Sequence, residues 1–480
     1  MSAVEYHVEA VPQKGPAALP IADEKPEPML HDPVDVHGVS PVANPILMNW
    51  CGMTPLGRRT QVFRPKTEEE ISAILVSSPD RKIRPIGSGL AYEAIAAVDD
   101  GDSVLVELSH FTGLERVDHE NSTARFGAGT SVDSAIALLT EKALMISCSP
   151  GVIGMQTLAG CVSTSTHGQG LQQSSFSDAI HSLRMVRANG DVVDIDASDG
   201  DFGAYIGSLG LLGIIVSISL KTSPLRAFIC KKMNVSYEVF AERWIQWNEE
   251  SEFCKAWWYP ETDLVHVWRI DEDRGEIDAV LRADPTLNST IDLLSGKMAD
   301  HTKDPCLVGC QFATIDRFRN TTDQKGFLHE IVCKGIPVPQ INCEIAVPLD
   351  QLPNALRSLR SWLDTNGTST LHYPFIFRCT GPSEAWLSPA YGSAVCFIGF
   401  LVYLAHDGSW GTGCMEMMRS IQEALYPCQG IPHLGKHFCL DIWQPEHNLR
   451  RWNDFTTLCR RHDPRGQFLN RLLSKMFAPT

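Results

Sequence analysis

The chain has 480 residues, a length that predicts about two to four domains. It carries 41 Lys and Arg against 57 Asp and Glu, a formal net charge of −16, and 44% of its residues are hydrophobic. This composition excludes a mainly disordered chain, a collagen-like repeat and a small disulfide scaffold. The acidic balance argues against a nucleic-acid partner, because phosphate contacts need clustered Lys and Arg. No apolar run reaches transmembrane length, so we expect no membrane span.

The 15 cysteines cannot all pair within one chain, because their number is odd. They form no pair of CxxC motifs, and the CxxxC of Cys306 and Cys310 stands isolated, so we expect no metal site. The N-terminus has neither an apolar h-region nor an Arg-rich amphipathic pattern. We therefore expect a cytoplasmic protein whose cysteines are buried, reduced thiols.

Residues 1–46 are rich in proline and show no sustained periodicity, which predicts an extended or partly disordered arm. Beyond the arm, short apolar runs alternate with segments of helical periodicity. The Asn189-Gly190 pair predicts a hairpin, so an α+β fold with mixed sheets fits better than a purely parallel sheet. In chain order, the predicted elements are helix 68–77, strands 82–86, 103–107 and 124–126, helix 132–141, hairpin strands 183–187 and 192–196, strands 211–220, 265–270 and 345–347, helix 352–364, strand 395–404, and helices 448–459 and 467–476.

Two clusters of small residues follow predicted strands. The first is Gly87-Ser88-Gly89, where a strand runs into a loop whose backbone N–H groups can face an anion. It lacks the third glycine of a dinucleotide fingerprint, because Tyr92 stands there. The second, residues 158–170, reads LAGCVSTSTHGQG and combines hydroxyls, glycines and His167. That composition suits either a loop around a dinucleotide pyrophosphate or a loop that satisfies its own backbone.

The ordered set of motifs resembles the PCMH-type FAD domain of vanillyl-alcohol-oxidase type flavoproteins, and more closely the aldonolactone and alditol oxidases. The similarity covers nearly everything after about residue 47. It rests on these segments: NW at 49–50, GSGL at 87–90, GCVSTSTHG at 160–168, LGLLGIIVSISL at 209–220, WWYPET at 257–262, HYPFIFR at 372–378, LSPAY at 387–391, HLGK at 433–436 and DPRGQFLN at 463–470.

The resemblance implies a two-subdomain FAD-binding domain at 47–224, an α+β cap or substrate domain with a mixed sheet at 225–428, and a C-terminal segment at 429–480 that returns to the FAD domain. It also implies two groups of cofactor contacts, one at the pyrophosphate and flavin and one near the adenine. The implied contacts are Pro85, Gly87, Ser88, Gly89, Leu90, Ala91, Gly129, Gly160, Ser163, Ser165, Thr166, His167, Gly168, Gly213, Ile214, Val216 and Lys436.

By the same resemblance, Arg378, Lys436 and His433 belong to the catalytic site. Hydride transfer to flavin N5 puts negative charge on the N1/C2=O edge, which a fixed cation stabilises. The substrate hydroxyl must also give up a proton. A guanidinium stays protonated, so Arg378 cannot accept it. Lys436 could accept it if burial depressed its pKa, and the acceptor is left open.

Three departures from the family pattern matter. Many relatives tether FAD through a histidine where this chain has Leu90, so we expect non-covalent FAD. The E-x-R pair of the family becomes Ile376-x-Arg378, and isoleucine cannot bind substrate hydroxyls, which predicts a substrate less polar than a free sugar. The HWxK motif of the family becomes His433-Leu434-Gly435-Lys436, and the loss of the bulky ring is expected to open space near the flavin. His433 and His437 lie four residues apart, but with no carboxylate nearby in sequence we expect no metal there.

The leading hypothesis is therefore FAD-dependent oxidation of a CH–OH or related C–H group in a small molecule, with O₂ or another acceptor reoxidising the flavin. The substrate pocket is predicted to include Ile376, Cys161 and Glu344. One alternative is an aldonolactone or alditol oxidase in which Glu344 replaces the lost carboxylate, although a structural acid at a strand start is the favoured interpretation of Glu344. A further alternative is a non-redox cyclase that keeps FAD as a scaffold.

Overall fold

The computed structural model describes residues 46–149, 151, 153–275, 321–333, 339–368, 371, 373–404 and 412–477. The predicted N-terminal arm, apart from its last residue, and the pair Cys306 and Cys310 lie outside the described residues.

The first folded unit is a small parallel sheet with the strand order β3-β5-β4, preceded by an antiparallel hairpin of β1 and β2. Helix α1 lies between β3 and β4 in the chain, and both of these strands pair with β5 in parallel. The helix begins after Thr67, whose side chain accepts a hydrogen bond from the Glu70 N–H. The elements are β1 Ile46–Met48, β2 Pro55–Arg58, β3 Val62–Phe63, α1 Glu68–Ser77, β4 Ile83–Ile86 and β5 Val104–Glu107.

The second unit is an antiparallel sheet with the order β10-β9-β11-β7-β6, in which β8 also pairs with β11. Strand β11 is buried along most of its length and forms the centre of this sheet. The elements are β6 Leu114–Asp118, β7 Thr123–Gly127, α2 Val132–Thr140, β8 Leu144–Ile146, α3 Leu158–Ser163, β9 Ile180–Val186, β10 Val192–Asp196, α4 Phe202–Tyr205 and β11 Ile214–Pro224.

The third unit is an eight-stranded sheet with the order β15-β12-β14-β13-β17-β18-β16-β19. Helix α5 packs on one face, where Phe240 lies 4.9 Å from Phe377 between ring centroids. The elements are β12 Ala227–Ser236, α5 Tyr237–Glu250, β13 Phe253–Tyr259, β14 Leu264–Glu272, β15 Gln324–Phe327, α6 Leu328–Val332, β16 Gln340–Pro348, α7 Leu352–Asn366, β17 Phe375–Thr380, β18 Val395–Tyr403, α8 Cys414–Leu425 and β19 Ile431–Pro432.

The C-terminal segment connects the large sheet to the first unit. Strand β19 pairs with β16, and further along the chain the carbonyl of Gln467 accepts from the Ile83 N–H at 2.9 Å. The Asn470 side chain donates to the carbonyl of Ala94 at 2.7 Å. The helices here are α9 Pro445–Asn448, α10 Trp452–His462 and α11 Arg471–Phe477.

The α+β class is confirmed, with one correction. The cap sheet was expected to be mixed, but every pairing recorded among its described strands is antiparallel. Among the described strands, parallel strand pairing is found in the small sheet, where β3 and β4 each pair with β5. The domain boundaries stay a prediction.

Three predicted elements begin three or more residues later than expected. The helix predicted from residue 448 begins at Trp452, because a separate short helix ends at Asn448. Strand β11 starts at Ile214 rather than at residue 211, because Leu209 and Gly210 have positive φ angles of 53° and 70° and form a turn. The last helix starts at Arg471 rather than at residue 467, because the Asp463 carboxylate accepts from two backbone N–H groups and holds a turn there.

Candidate active site

A cavity of about 310 Å³ lies between the two smaller sheets and the large sheet. Loops that follow β4 and surround α3 line one side, and one face of the large sheet lines the other. Most residues expected to contact FAD lie on its wall: Pro85, Gly87, Ser88, Gly89, Leu90, Ala91, Gly129, Gly160, Ser163, Thr166, His167, Gly213 and Lys436.

Four expected FAD contacts lie off the cavity wall: Ser165, Gly168, Ile214 and Val216. Ile214 and Val216 are 0% and 1% exposed, and Ile215 lines the cavity in their place. Neighbouring side chains in a strand point to opposite faces, so the expected register on β11 was one residue off.

Sequence reasoning missed several wall residues, among them Tyr92, Glu107 and Thr157. Glu107 ends β5 directly beside Ile86, where β4 runs into the glycine loop, so adjacency in the parallel sheet is the signal for it. The Glu107 carboxylate forms a salt bridge with Arg64.

The two small-residue loops pack against each other closely. A Cβ at Gly87 would lie 2.3 Å from Thr157 Oγ1, so only glycine fits. Thr157 cannot withdraw without cost, because its hydroxyl accepts from the Gly160 N–H and caps α3. The Ser88 hydroxyl donates to the carbonyl of Met155 at 2.5 Å. The glycines therefore allow the loops to meet as well as allowing a ligand to approach.

The other wall of the cavity follows the period of two in the large sheet. Alternate residues of each strand face the cavity: Lys255 and Trp257 on β13, Trp268 on β14, Gln340, Asn342 and Glu344 on β16, Ile376 and Arg378 on β17, and Gly399, Leu401 and Tyr403 on β18. The intervening residues face the helices, as Phe377 does. The expected position of Ile376 and Arg378 on one strand face is thus the observed one.

A single cross-strand row places Ile376 beside an acid. Ile376 pairs with Trp257 on one side and Gly399 on the other, and Gly399 in turn pairs with Glu344. A Cβ at Gly399 would lie 3.5 Å from Ile376 Cβ and 3.8 Å from Glu344 Oε1. Glu344 is only 2% exposed and lies in the middle of β16. The favoured interpretation of Glu344, an acid at a strand start, was therefore wrong about its position.

Glu344 forms the centre of a buried ionic cluster. Its Oε1 accepts from Nη2 of Arg378, and Nη1 of Arg378 donates to the carbonyl of His167 at 3.3 Å. His167 Nε2 lies 3.4 Å from Glu344 Oε2. Burial by itself raises the pKa of Glu344, but the positive charge of Arg378 outweighs it and holds this pKa well below its usual range. The carboxylate is therefore ionised at neutral pH.

His433 and Lys436 follow β19 and face the same cluster. His433 Nδ1 accepts from the Gly435 N–H at 3.0 Å, so the neutral ring carries its proton on Nε2. Burial, followed by the neighbouring His167, lowers the pKa of His433 to about 3. Burial also lowers the pKa of Lys436, while the charge of Glu344 opposes that shift. Lys436 Nζ stands 5.7 Å from the ring centroid of Tyr92.

His437 lies apart from this cluster and has the carboxylate partner that the sequence did not show. Its Nδ1 is 2.7 Å from Glu93 Oε1, whereas His433 bonds within its own turn. The two histidines do not share a helix, since they follow β19 in a turn. Within the described ranges, no three His, Cys, Asp or Glu side chains are placed to hold a metal ion.

Cys161 was expected to line the substrate pocket, but it does not lie on the cavity wall. It is 1% exposed within α3, and burial raises its pKa to about 12. Cys379 follows Arg378 but points to the opposite face of β17, where it pairs with Cys396. All cysteines in the part of the chain that the structure describes are free thiols. No described helix is long and apolar enough to cross a bilayer.

The cavity fits FAD. Its loop side offers backbone N–H groups, hydroxyls and little bulk. Basic side chains also face it, Lys255 and Arg378 from the large sheet and Lys436 from the segment after β19, and they could stabilise the negative charge of a reduced flavin. Fold and site together define an FAD-dependent oxidoreductase. An FAD-binding domain profile matches residues 60–196, and the D-arabinono-1,4-lactone oxidase profile matches residues 218–476. The chain belongs to the D-arabinono-1,4-lactone oxidase family.

Curated relatives share low identity over nearly the whole chain. L-gulono-1,4-lactone dehydrogenase of Mycobacterium tuberculosis is 23% identical over 91% of this chain and 100% of its own length. L-gulonolactone oxidase of Scyliorhinus torazame is 24% identical over 86% of this chain and 94% of its own. Cholesterol oxidase from B. sterolicum has the same fold, with a TM-score of 0.72, 14% identity, and coverage of 90% of this chain and 96% of that chain. These relationships support oxidation of a CH–OH group, rather than the non-redox alternative.

Proposed function

We propose that the enzyme oxidises a hydroxyl group of a small molecule that is less polar than a free sugar, such as a secondary metabolite, and that O₂ reoxidises the flavin. The observation that carries the proposal is the apolar part of the row around Ile376 on the cavity face, which consists of Trp257, Ile376 and Gly399 and ends at Glu344. Trp257 and Trp268 stand 4.9 Å apart between ring centroids and continue this row as an aromatic wall. A polyol would leave its hydroxyls unpaired against such a wall.

The residues divide the work in the following way. FAD, when bound, supplies a two-electron acceptor for the carbon that bears the hydroxyl. The loops around Gly87 and Gly160 hold the cofactor, and Lys436 and Arg378 provide positive charge beside it. Glu344 holds Arg378 in place, because the two side chains form an ion pair buried from solvent. The aromatic wall binds the remainder of the substrate and excludes water from the cavity.

A second candidate function, oxidation of an aldonolactone or alditol, draws support from the position of Glu344. The carboxylate lies across Gly399 from Ile376, on the same face of the sheet, and can take the place of an acid at residue 376. The relatives from Mycobacterium tuberculosis and Scyliorhinus torazame are a lactone dehydrogenase and a lactone oxidase. In this alternative, the substrate hydroxyls bind towards Glu344 and away from the aromatic wall.

Anaerobic bleaching of the flavin separates the two candidates. A panel of sugar lactones, alditols, and aliphatic and aromatic alcohols is mixed with the oxidised enzyme, and the flavin absorbance is followed. We expect apolar alcohols to bleach the wild type and lactones to fail. Ile376→Glu should reverse that preference, whereas the matched control Ile376→Leu should keep it. Bleaching of the wild type by lactones alone would favour the second candidate. An oxygen electrode then shows whether O₂ is consumed with the active substrate.

A further inference from the structure

Two buried polar atoms beside the cavity face each other without a hydrogen bond. His167 Nε2 and Glu344 Oε2 are 3.4 Å apart, and within the described residues neither atom has a hydrogen-bond partner. Their side chains are 1% and 3% exposed, so bulk water does not reach them. An unpaired buried polar atom is destabilising, so a functional reason for this arrangement is expected.

The hydrogen-bond partners of His167 determine which atom is bare. His167 Nδ1 lies 3.0 Å from the carbonyl of Gly168, and a carbonyl only accepts, so Nδ1 carries the ring proton. Phe397 stacks on the ring, with centroids 3.5 Å apart and planes 16° from parallel, and fixes its orientation. The neutral ring therefore directs the lone pair of Nε2 at an ionised carboxylate. Two acceptors meet with no proton between them.

We propose that His167 and Glu344 form a proton-accepting pair for the oxidation. As the substrate alcohol is oxidised, its C–H bond breaks and the electron pair leaves with the hydrogen to FAD. Its O–H bond also breaks, the C=O double bond forms, and the released proton is held between His167 Nε2 and Glu344 Oε2. The proton converts the unfavourable contact of two acceptors into a charge-assisted hydrogen bond.

The other groups around the pair are less suited to the proton. Arg378 faces it from β17 as a guanidinium, which stays protonated. His433 faces the pair from the segment after β19. Its Nδ1 already accepts a hydrogen bond from the Gly435 N–H and its Nε2 already carries a proton, so neither ring nitrogen is free to take another. Lys436 also faces the pair from that segment, where burial lowers its pKa and the charge of Glu344 opposes that shift. Phe397, on β18, is uncharged. Uptake of a proton makes this cluster more positive at the moment when the flavin gains negative charge, so the two charges stabilise each other.

The test counts the protons that accompany flavin reduction, and it needs no substrate. The midpoint potential of the bound FAD is measured anaerobically against a reference dye between about pH 6 and pH 8, where unperturbed carboxylates stay ionised. For a two-electron couple each accompanying proton contributes about 30 mV per pH unit. We expect the midpoint potential of the wild type to change by about 60 mV per pH unit. For His167→Gln and for Glu344→Gln we expect about 30 mV per pH unit.

His266→Gln is the matched control. His266 is also buried on the same sheet, but one ring nitrogen bonds Asn234 and the other accepts from Trp268, both at 2.7 Å. It has no free position for a proton, so its variant should keep the wild-type slope.

Two results would overturn the proposal. A wild-type slope of one proton would show that no group of this cluster takes up a proton on reduction, even if neither variant loads FAD. Loss of the second proton in Lys436→Met together with its retention in His167→Gln would assign it to the lysine. Neither result bears on the substrate, so failure here is distinguishable from failure of the proposed function.

Discussion

The ion pair between Glu344 and Arg378 predicts an unusually large cost for removing one partner. The two side chains are 3% and 10% exposed and are in direct contact. Glu344→Leu leaves the Arg378 charge buried without its partner. Breaking a buried pair in this way costs about 3–5 kcal/mol in the free energy of unfolding.

The double variant Glu344→Leu with Arg378→Met should recover most of that loss. Replacing both partners of a buried pair with apolar side chains of similar volume is often neutral or stabilising. The wild type, the two single variants and the double variant together give the coupling energy of the ion pair, separate from the effect of losing each side chain alone. Urea unfolding is measured by tryptophan fluorescence at one fixed free FAD concentration, with FAD affinity measured separately, because FAD bound to the native state adds stability.

The effect has a defined pH dependence. The folded pKa of Glu344 lies well below its ordinary value of 4.5, because the charge of Arg378 outweighs the effect of burial. The stabilisation is therefore fully present above that ordinary value and is lost as pH falls through the folded pKa. The stability difference between wild type and Glu344→Gln should shrink in acid. A loss of unfolding free energy below about 1 kcal/mol for Glu344→Leu, which is typical of exposed pairs, would refute the reasoning. So would a double variant whose loss of unfolding free energy equals the sum of the losses of the two single variants.

Two further predictions concern the cofactor loops, and a third concerns His437. Acid precipitation should leave the flavin in the supernatant, because Leu90 offers no nucleophile for a covalent bond; flavin in the pellet contradicts this. Gly129→Ala should destabilise the protein by about 1–3 kcal/mol in thermal unfolding, because its Cβ would lie 2.2 Å from the carbonyl oxygen of Leu108; an unchanged Tm would count against it. Burial alone lowers the pKa of His437, but hydrogen bonds to Cys439 and Glu93 raise it to about 9 against an ordinary 6.5. The stabilisation of the folded protein by protonated His437 is therefore full below the ordinary pKa and is lost as pH rises through about 9. An alkaline unfolding profile that is the same in Glu93→Gln as in the wild type would contradict this.

Much of the secondary structure could be predicted, because it depends on neighbours in sequence. The acidic first turn of α1, the Asn189-Gly190 turn and the apolar run of β18 are local signals, and each element formed where it was expected. The loop glycines were recognised for the same reason. The later start of the last helix was not predicted. The Asp463 carboxylate accepts from the Gln467 N–H and holds a turn before the helix, although the sequence there has helical periodicity.

The positions on the cavity wall depended on register, which the sequence does not show. Ile376 and Arg378 were assigned to one strand face correctly, while Ile214 and Val216 were assigned to the cavity although Ile215 faces it. A shift of one residue moves every side chain of a strand to the other face. The pairing of β11 with β9 contains irregularities that no local pattern reveals.

The sequence by itself determined the family resemblance, the α+β class, the two glycine loops and the loss of the family acid at Ile376. Only the tertiary structure decided which acid lies beside Ile376. Glu344 meets Arg378 across 34 positions of sequence, and Arg378 meets His167 across 211. The physical reason is that strands β16, β17 and β18 pair through non-local backbone hydrogen bonds, and this pairing places Glu344 and Ile376 on either side of Gly399. An acid that looked structural in sequence thereby became part of the cavity wall.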